Sequence, residues 1–512
     1  MTTPSLTPPA DAEAPEEWQP DRNARSPLKL ATTVLGLVVT ALVVLLVGPG
    51  LLILGLIGVG FVVATFWRPE IATIAFFFVI WANLLAVAAQ FHGAPALLAG
   101  CFVLILCIPL LHRVIVRREP IVVTSALPFL LGYLASMLVA AAASAAVGPA
   151  VRPIGDFLIE GLLLYLLVSN SVRTPGTLRR AIWAIILASA LLGSLSLVQE
   201  ATHAYQNNFG GLAQVTTQGF KVAEEQGTAV LRPRLSGSIG EQNRYAQVLL
   251  MAAPLAFFRA KYERDRRLRI LATGCGIAIS AGVLLTFSRG AMVAAGVVFV
   301  MLIMRGYVRF RYAIIGIGVV GLALIMVEPD YITRLSSLTE IGPGQSDSGT
   351  QKADGAVVGR ATSNLAAWNT FVAHPLTGVG PGRYFVDYSQ KAGNELNLRF
   401  FDKNRRAHNL YLEVAADLGV FGIAMLLGAV GVTAYQLANL QRYWRTRDPQ
   451  LAALASSLLF ALAAYMVTAV FLHLSYQRYF WTILSLANST IWVLAGERRR
   501  ASSPPPQLST VP

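Results

Sequence analysis

The residues best suited to do chemistry lie in one short segment, 408–413 (HNLYLE), where a polar loop meets an apolar run. We expect His408 at the N-terminus of a helix, whose positive dipole end disfavours imidazolium and leaves a neutral general base. Asn409 and Glu413 are placed to orient it. A capping or interfacial histidine without a catalytic task fits the same position. Glu413 and Asp417, one turn apart, suit either a polar cavity or helix–helix hydrogen bonds.

A second candidate group is a set of arginines that fall in loops or turns, namely Arg232, Arg234, Arg289, Arg360 and Arg383. Arg289 is the most informative, because a turn of very few residues between two apolar runs forces it to the bilayer boundary. A guanidinium matches phosphate with a fork of donors, and a lipid pyrophosphate carries its charge at that depth. The alternatives are snorkelling to headgroups or pairing with a carboxylate such as Glu200 or Glu241.

Residues 374–384 (HPLTGVGPGRY) carry a glycine at every second position from 378 to 382. The segment is not a nucleotide-binding fingerprint, and we interpret it as a turn that lets backbone approach a ligand or a helix. We find no Asp-x-Asp pair in an outer loop, no Gly-x-Ser-x-Gly and no zinc spacing. The cysteines, Cys101, Cys107 and Cys275, all lie in apolar runs. We therefore expect neither a metal nor a cofactor.

The elements that must position these residues are membrane helices. The chain has 512 residues, of which 55% are hydrophobic and only 13% charged, and its mean hydropathy is +0.58. This composition excludes a soluble domain. The 41 Lys and Arg residues outnumber 27 Asp and Glu, but most of them flank apolar segments, so we expect membrane lipids rather than nucleic acid as partners.

Fourteen apolar segments are long enough to predict helical spans, because a bilayer leaves no other way to satisfy the backbone. They cover approximately 30–47, 50–66, 71–90, 95–111, 121–147, 154–171, 179–199, 244–258, 268–286, 290–304, 310–327, 409–436, 451–472 and 479–496. With this count, 25 cations fall on one side and three, Arg152, Arg289 and Arg478, in the short loops of the other. The positive-inside rule then places both termini in the cytoplasm.

The predicted organisation follows from these spans. It comprises a disordered cytoplasmic tail (1–28), helices 1–7 (29–199), an outer loop (200–243), helices 8–11 (244–327), a large outer loop (328–408), helices 12–14 (409–497) and a cytoplasmic tail (498–512). Loops of such length are usually functional or disordered. In the larger loop, Leu365, Trp368, Phe371 and Val372 predict an amphipathic helix from Arg360 to His374, either at the membrane surface or packed on its own loop.

Together these residues resemble the O-antigen ligase and polymerase superfamily of bacterial membrane glycan transferases. The matching pieces are residues 234–246, the turn 286–291, Arg360 with Trp368, the glycine segment 374–380, and His408 onward to Gly422. The resemblance implies an all-α polytopic fold like that of the C-type glycosyltransferases, with a large, partly helical periplasmic loop. It also implies a bacterial inner-membrane location and a periplasmic site without a metal.

In that family the donor is a glycan on undecaprenyl pyrophosphate. We therefore expect the arginines to hold the diphosphate and His408 to accept the proton of the acceptor hydroxyl, with inversion at the anomeric carbon. The acceptor stays open between lipid A core, as in a ligase, and a second lipid-linked glycan, as in a polymerase. Fourteen spans are closer to the polymerases. A transporter or flippase of lipid-linked glycans, which forms no bond, is the alternative from another class.

Overall fold

The computed structural model describes residues 63–65, 67–95, 102–144, 147–225, 228–311, 351–396, 406–473 and 477–502. The chain divides into two units, Met1–Arg68 and Pro69–Pro512, and all elements below belong to the second. The predicted spans 30–47, 50–66 and 310–327 lie outside the described residues except at their ends. So do the tail 1–28 and the greater part of the tail 498–512.

The described part is mostly helical. In chain order the helices are α1 (Pro69–Trp81), α2 (Leu84–Phe91), α3 (Val103–Val116), α4 (Leu127–Ala143), α5 (Gly148–Asp156), α6 (Leu164–Ser171), α7 (Pro175–Ala201), α8 (Gln242–Tyr262), α9 (Arg266–Leu285), α10 (Arg289–Met304), α11 (Gln351–Ala373), α12 (Ser389–Glu395), α13 (Leu410–Trp444), α14 (Pro449–Thr468) and α15 (Arg478–Ser502). A π-helical stretch, Phe157–Leu163, joins α5 to α6, and another, Tyr384–Tyr388, precedes α12.

Four of the described helices, α7, α9, α13 and α14, are long and apolar enough to cross a membrane, and a fifth span results if α1 and α2, bent by 58°, count as one. The chain is thus a multi-pass membrane protein, while the count of fourteen stays a prediction. The predicted spans 244–258 and 479–496 are helical but more polar. They lie inside the bundle, where α15 is buried without interruption from Tyr479 to Thr490, so they need not be apolar toward lipid.

The prediction of an all-α chain requires one correction, because the outer loop 200–243 contains a β-hairpin. Strands β1 (Gln214–Glu225) and β2 (Thr228–Gly237) pair antiparallel, with Glu225 opposite Thr228 and Gln214 opposite Gly237. The segment is rich in Val, Thr and Phe, which favour strands, and only Gln226 and Gly227 separate the two strands in the sequence. The segment, predicted as a loop, is therefore in large part a hairpin.

Hydrogen bonds between helix ends define two ends of the bundle formed by α8, α10 and α14. At one end, Ser288 at the start of α10 donates to Asn243 at the start of α8 (2.8 Å), and Gln247 of α8 donates to Thr468 at the end of α14 (2.7 Å). At the other end, Gln450 at the start of α14 donates to the carbonyl oxygen of Tyr262 at the end of α8 (3.2 Å). The first we call the site end and the second the arginine-rich end, since Arg179, Arg259, Arg266, Arg267, Arg445 and Arg447 lie at helix ends there.

The helix predicted from Arg360 to His374 is confirmed and begins earlier, at Gln351. Its apolar side chains Leu365, Trp368 and Val372 are 48%, 52% and 56% exposed, whereas Ser363 and Ala367 on the other side are buried. The apolar face of α11 therefore points away from its own loop, which favours the membrane-surface alternative over the packed one.

Candidate functional site

Helix α13 is broken near its start, and the break holds the glycine segment 374–384. Gly419 lies at φ 65° and ψ −165°, which takes the backbone out of the helix for one residue. The freed carbonyl oxygens of Ala416 and Asp417 accept hydrogen bonds from the N–H groups of Val379 (3.0 Å) and Gly380 (2.9 Å). The sequence predicted a turn whose backbone approaches either a ligand or a helix. The structure shows that this backbone contacts helix α13.

The carboxylate of Asp417 completes this docking. It accepts hydrogen bonds from the backbone N–H groups of Gly382 (3.0 Å) and Tyr384 (2.8 Å). The Tyr384 hydroxyl in turn donates to the carbonyl oxygen of Ser363 in α11 (3.0 Å). Asp417 therefore fixes the large loop on α13. This positioning role lies between the two alternatives from the sequence, a polar cavity and helix–helix hydrogen bonds.

His408 lies directly before α13 in a backbone conformation that is unusual for a residue with a side chain, φ 50°. The following residue, Asn409, caps the helix, and its side-chain oxygen accepts from the N–H groups of Tyr411 (3.0 Å) and Leu412 (3.2 Å). Asn409 thus acts on His408 through the backbone that it fixes.

Glu413 holds the chain on the other side of His408. Its carboxylate is buried, pairs with Arg406 (2.7 Å) and accepts from the Ala407 N–H (3.1 Å). The Arg406 guanidinium also lies 4.7 Å from the ring centroid of Phe385. His408 is therefore held between a helix cap and an anchored turn, as a reactive side chain needs to be.

A second histidine, which the sequence analysis missed, faces His408. The ring of His473, in the connector after α14, lies 5.7 Å from the His408 ring at 76°. Its Nδ1 is buried and has no hydrogen-bond partner among the described residues. Burial, followed by the positive charges of Arg244 and Arg406, lowers the pKa of His473 well below its usual value. The imidazole of His473 is therefore neutral at physiological pH.

The turn that carries Arg289 is braced from two sides. Ser288 caps α10 and donates to Asn243, whose amide donates to Glu241 (2.8 Å), the cap of α8. Arg234 of β2 donates to the carbonyl oxygens of Thr286 (3.1 Å from Nη2) and Phe287 (3.1 Å). The position of Arg289 is thereby fixed by residues far away in the sequence, and the role of Arg234 as a phosphate ligand stays a prediction.

Arg360 of α11 lies close to Arg289. Burial lowers the pKa of Arg360, the nearby charge of Glu241 raises it, and the nearby positive charge of Arg289 lowers it again. Two guanidinium groups that are distant in sequence thus share one partly buried region. Like charges in such a place are costly unless an anion binds between them.

The other two predicted arginines are Arg383, which has an ion pair of its own, and Arg232, whose side chain the structure does not describe. Arg383 is buried, pairs with Asp387 (2.9 Å) and lies 5.4 Å from the ring centroid of Tyr388. Its Nη1 has no hydrogen-bond partner within the described segments. Arg232 is in β2 opposite Phe220, and its side chain lies outside the described residues.

His408 and Arg289 border the same connector, residues 469–473. The carbonyl oxygen of Ala469 accepts from the Leu410 N–H (2.9 Å), directly after His408 and Asn409. A Cβ on Gly290, next to Arg289, would come within 3.0 Å of Phe471. His408 and Arg289 therefore lie at the same end of the bundle. In the part of the chain that the structure describes, no group of three or more His, Cys, Asp or Glu side chains could hold a metal ion.

Comparison with known families gives one match, in which residues 274–427 fit the family model described as O-Antigen ligase. This confirms the resemblance to the O-antigen ligase and polymerase superfamily over a segment that runs from α9 to the first half of α13. The segment contains Arg289, Arg360, Arg383 and His408 but neither Arg244 nor His473. No curated protein matches the chain.

Proposed function

We propose, from the O-antigen ligase match over residues 274–427, that this chain is a membrane glycosyltransferase of the bacterial inner membrane. It transfers a glycan from undecaprenyl pyrophosphate to an acceptor hydroxyl at the periplasmic face. The observation that carries the proposal is that His408, whose ring faces that of His473 at 5.7 Å, lies at the same end of the bundle as Arg289, whose charge acts on Arg360.

Arg289 and Arg360 would bind the donor diphosphate, since both are cationic, partly buried and close enough for their charges to interact. As the bond between the anomeric carbon and the diphosphate oxygen breaks, negative charge grows on the leaving group. Two guanidinium groups that are already in place stabilise that charge more than they stabilise the bound donor.

His408 would accept the proton of the acceptor hydroxyl while its oxygen forms the new bond to the anomeric carbon. The diphosphate leaves with the electron pair of the broken bond, so no general acid is required, and attack from the opposite side inverts the anomeric centre. Asn409 and Glu413 serve as positioning residues, because their contacts fix the backbone on either side of His408. Arg234 braces the turn that carries Arg289, and Arg232 and Arg383 are the further donor ligands that the sequence predicts.

The test uses full-length protein in detergent with a lipid-linked donor and, in separate reactions, lipid A core or a second lipid-linked glycan as acceptor. A transferase forms a new glycosidic bond, and the acceptor that reacts separates ligase from polymerase. A transporter or flippase yields no new bond in either reaction, and that result would overturn the proposal.

Two substitutions with matched controls separate the proposed roles. His408→Ala should reduce transfer by roughly 10²–10⁴-fold, as expected for a general base, and leave donor binding intact. Arg289→Ala should weaken donor binding roughly tenfold or more, the contribution of charge-assisted hydrogen bonds. His203→Ala and Arg152→Ala, which alter exposed side chains, should change neither. The opposite pattern, with His408→Ala impairing binding alone, contradicts the assignment.

A further inference from the structure

A cleft opens at the arginine-rich end of the bundle, far from His408. Helix α8 starts beside the site and ends at Tyr262, 20 residues later, which is about 30 Å at 1.5 Å per residue. Next to its last turn lies a cleft of about 430 Å³, within the range of ligand sites. It is lined by Phe257, Ala260, Lys261, Tyr307, Val308 and Arg309.

The cleft carries two positive charges, Lys261 and Arg309. Within the described residues neither forms an ion pair with a carboxylate, and the nearby acid Glu263 is engaged with Arg259 (2.9 Å). Lys261 lies beyond the predicted span that ends at residue 258. Its pKa is lowered, first by burial and then by the positive charge of Arg309. An anion between the two cations would relieve this repulsion.

The wall of the cleft is rigid and aromatic. The Tyr307 hydroxyl is hydrogen-bonded to Ser456 (2.8 Å) and accepts from Gln441 (3.0 Å), while its ring packs edge-on against Phe258 at 4.8 Å. The Lys261 ammonium donates to the Tyr307 carbonyl oxygen and lies 5.7 Å from the centroid of its ring. These two contacts hold the Lys261 side chain at the cleft.

Apolar surface continues outward from the cleft. Met304 and Phe310, on either side of the lining residues 307–309, are 80% and 69% exposed. In a membrane protein, large apolar side chains this exposed at a helix end face acyl chains. The cleft thus joins a charged, hydrogen-bonding pocket to a surface suited to hydrocarbon, which is the chemistry of a phospholipid rather than of a soluble anion.

We propose that this cleft binds the headgroup of an anionic phospholipid, with its phosphate between Lys261 and Arg309 and its acyl chains over Phe310 and Met304. Basic pockets at membrane protein ends that face the cytoplasmic leaflet commonly hold such headgroups, and the sequence predicts this end to be cytoplasmic. The site is independent of the glycan chemistry, so it stands or falls apart from the proposed function.

The test measures thermal unfolding of the full-length protein in neutral detergent with added phosphatidylglycerol, phosphatidylcholine or inorganic phosphate. Phosphatidylglycerol should raise Tm in a saturable manner, and the other two should not. The double variant K261Q/R309Q should need about 30-fold more phosphatidylglycerol for half the effect, since each cation near an anionic lipid contributes roughly fivefold. The matched variant R266Q/R267Q, altered at exposed positions at the start of α9, should behave as wild type.

Three outcomes would overturn the proposal. Equal loss in R266Q/R267Q would assign the effect to general surface charge, an equal response to inorganic phosphate would assign it to a soluble anion, and no response to any additive would leave the cleft without this ligand. If the double variant fails to fold, R309Q alone should still show a reduced response while K261R retains it, and equal responses of wild type and R309Q would count against the site.

Discussion

Replacing Gly419 by alanine is the sharpest test of how the site is built. At φ 65° and ψ −165° the residue occupies a region that is essentially restricted to glycine. A Cβ there would also overlap the carbonyl oxygen of Leu376 and come within 2.8 Å of that of Pro375. The substitution must therefore strain the backbone, displace the docked segment 374–384, or both.

The cost can be worked out from these contacts. A non-glycine residue in this region costs about 1–3 kcal/mol. If the loop moves away instead, the hydrogen bonds from Val379 to Ala416, from Gly380 to Asp417 and from Val420 to Pro375 are lost, at about 0.5–1.5 kcal/mol each. Either route predicts a loss of docking free energy of about 2 kcal/mol, which is roughly a 30-fold increase in the open population.

Hydrogen exchange of backbone amides measures this population directly, because each of the three amides is protected only while the loop is docked. In Gly419→Ala, the amides of Val379, Gly380 and Val420 should exchange roughly 30-fold faster than in wild type. The matched control is Gly431→Ala in the same helix, where a new Cβ meets nothing within 4 Å. Unchanged exchange of these three amides in Gly419→Ala would refute the account of the break.

Further predictions concern the braces around the two candidate groups. Glu413→Gln removes the ion pair with Arg406 and should lower the free energy of unfolding by about 1–2 kcal/mol in thermal or denaturant scans. This is the value of a charge-assisted hydrogen bond to a partly exposed partner, and an unchanged unfolding midpoint would contradict the prediction. Arg234→Lys keeps the charge but cannot reach both carbonyl oxygens at the turn, so donor affinity in a binding titration should fall about tenfold, whereas wild-type affinity would show that the brace is dispensable. The pKa of His473 is lowered in the folded state, so the unfolded chain binds an extra proton below about pH 6.5. The free energy of unfolding therefore falls by up to about 1.4 kcal/mol per pH unit on the acid side. His473→Asn should flatten this slope between about pH 6.5 and 5 in melting curves, and an equal slope would refute the burial argument.

The helices of the bundle were largely predictable, because a bilayer forces backbone hydrogen bonding into every apolar run. The run 268–286 proved to be Arg266–Leu285, and 451–472 proved to be Pro449–Thr468. The break at Gly419 was not predictable in the same way. The apolar run continues through it without a change of composition, and its hydrogen-bond partners come from residues some 40 positions earlier.

The candidate site likewise has a part that the sequence predicts and a part that it does not. Arg289 could be found from the sequence because a cation in a short turn between apolar runs has few explanations. His473 and Arg244 could not, since one lies in a short connector and the other at the edge of an apolar run, and only the folded chain brings both toward His408. His473 shares with Arg289 a position in a short connector between two apolar runs, a signal that does not by itself say which residues the side chain meets.

The buried position of α15 also bears on how the protein is made. This helix is synthesised after the other described helices, yet from Tyr479 to Thr490 every residue is enclosed by them. The packing around Trp481 is therefore completed only when translation has reached the end of α15. Until then, aromatic neighbours such as Phe157, whose ring lies 5.1 Å from that of Trp481, lack a partner that they have in the folded chain, so this stage of biogenesis leaves the bundle open to quality-control proteases.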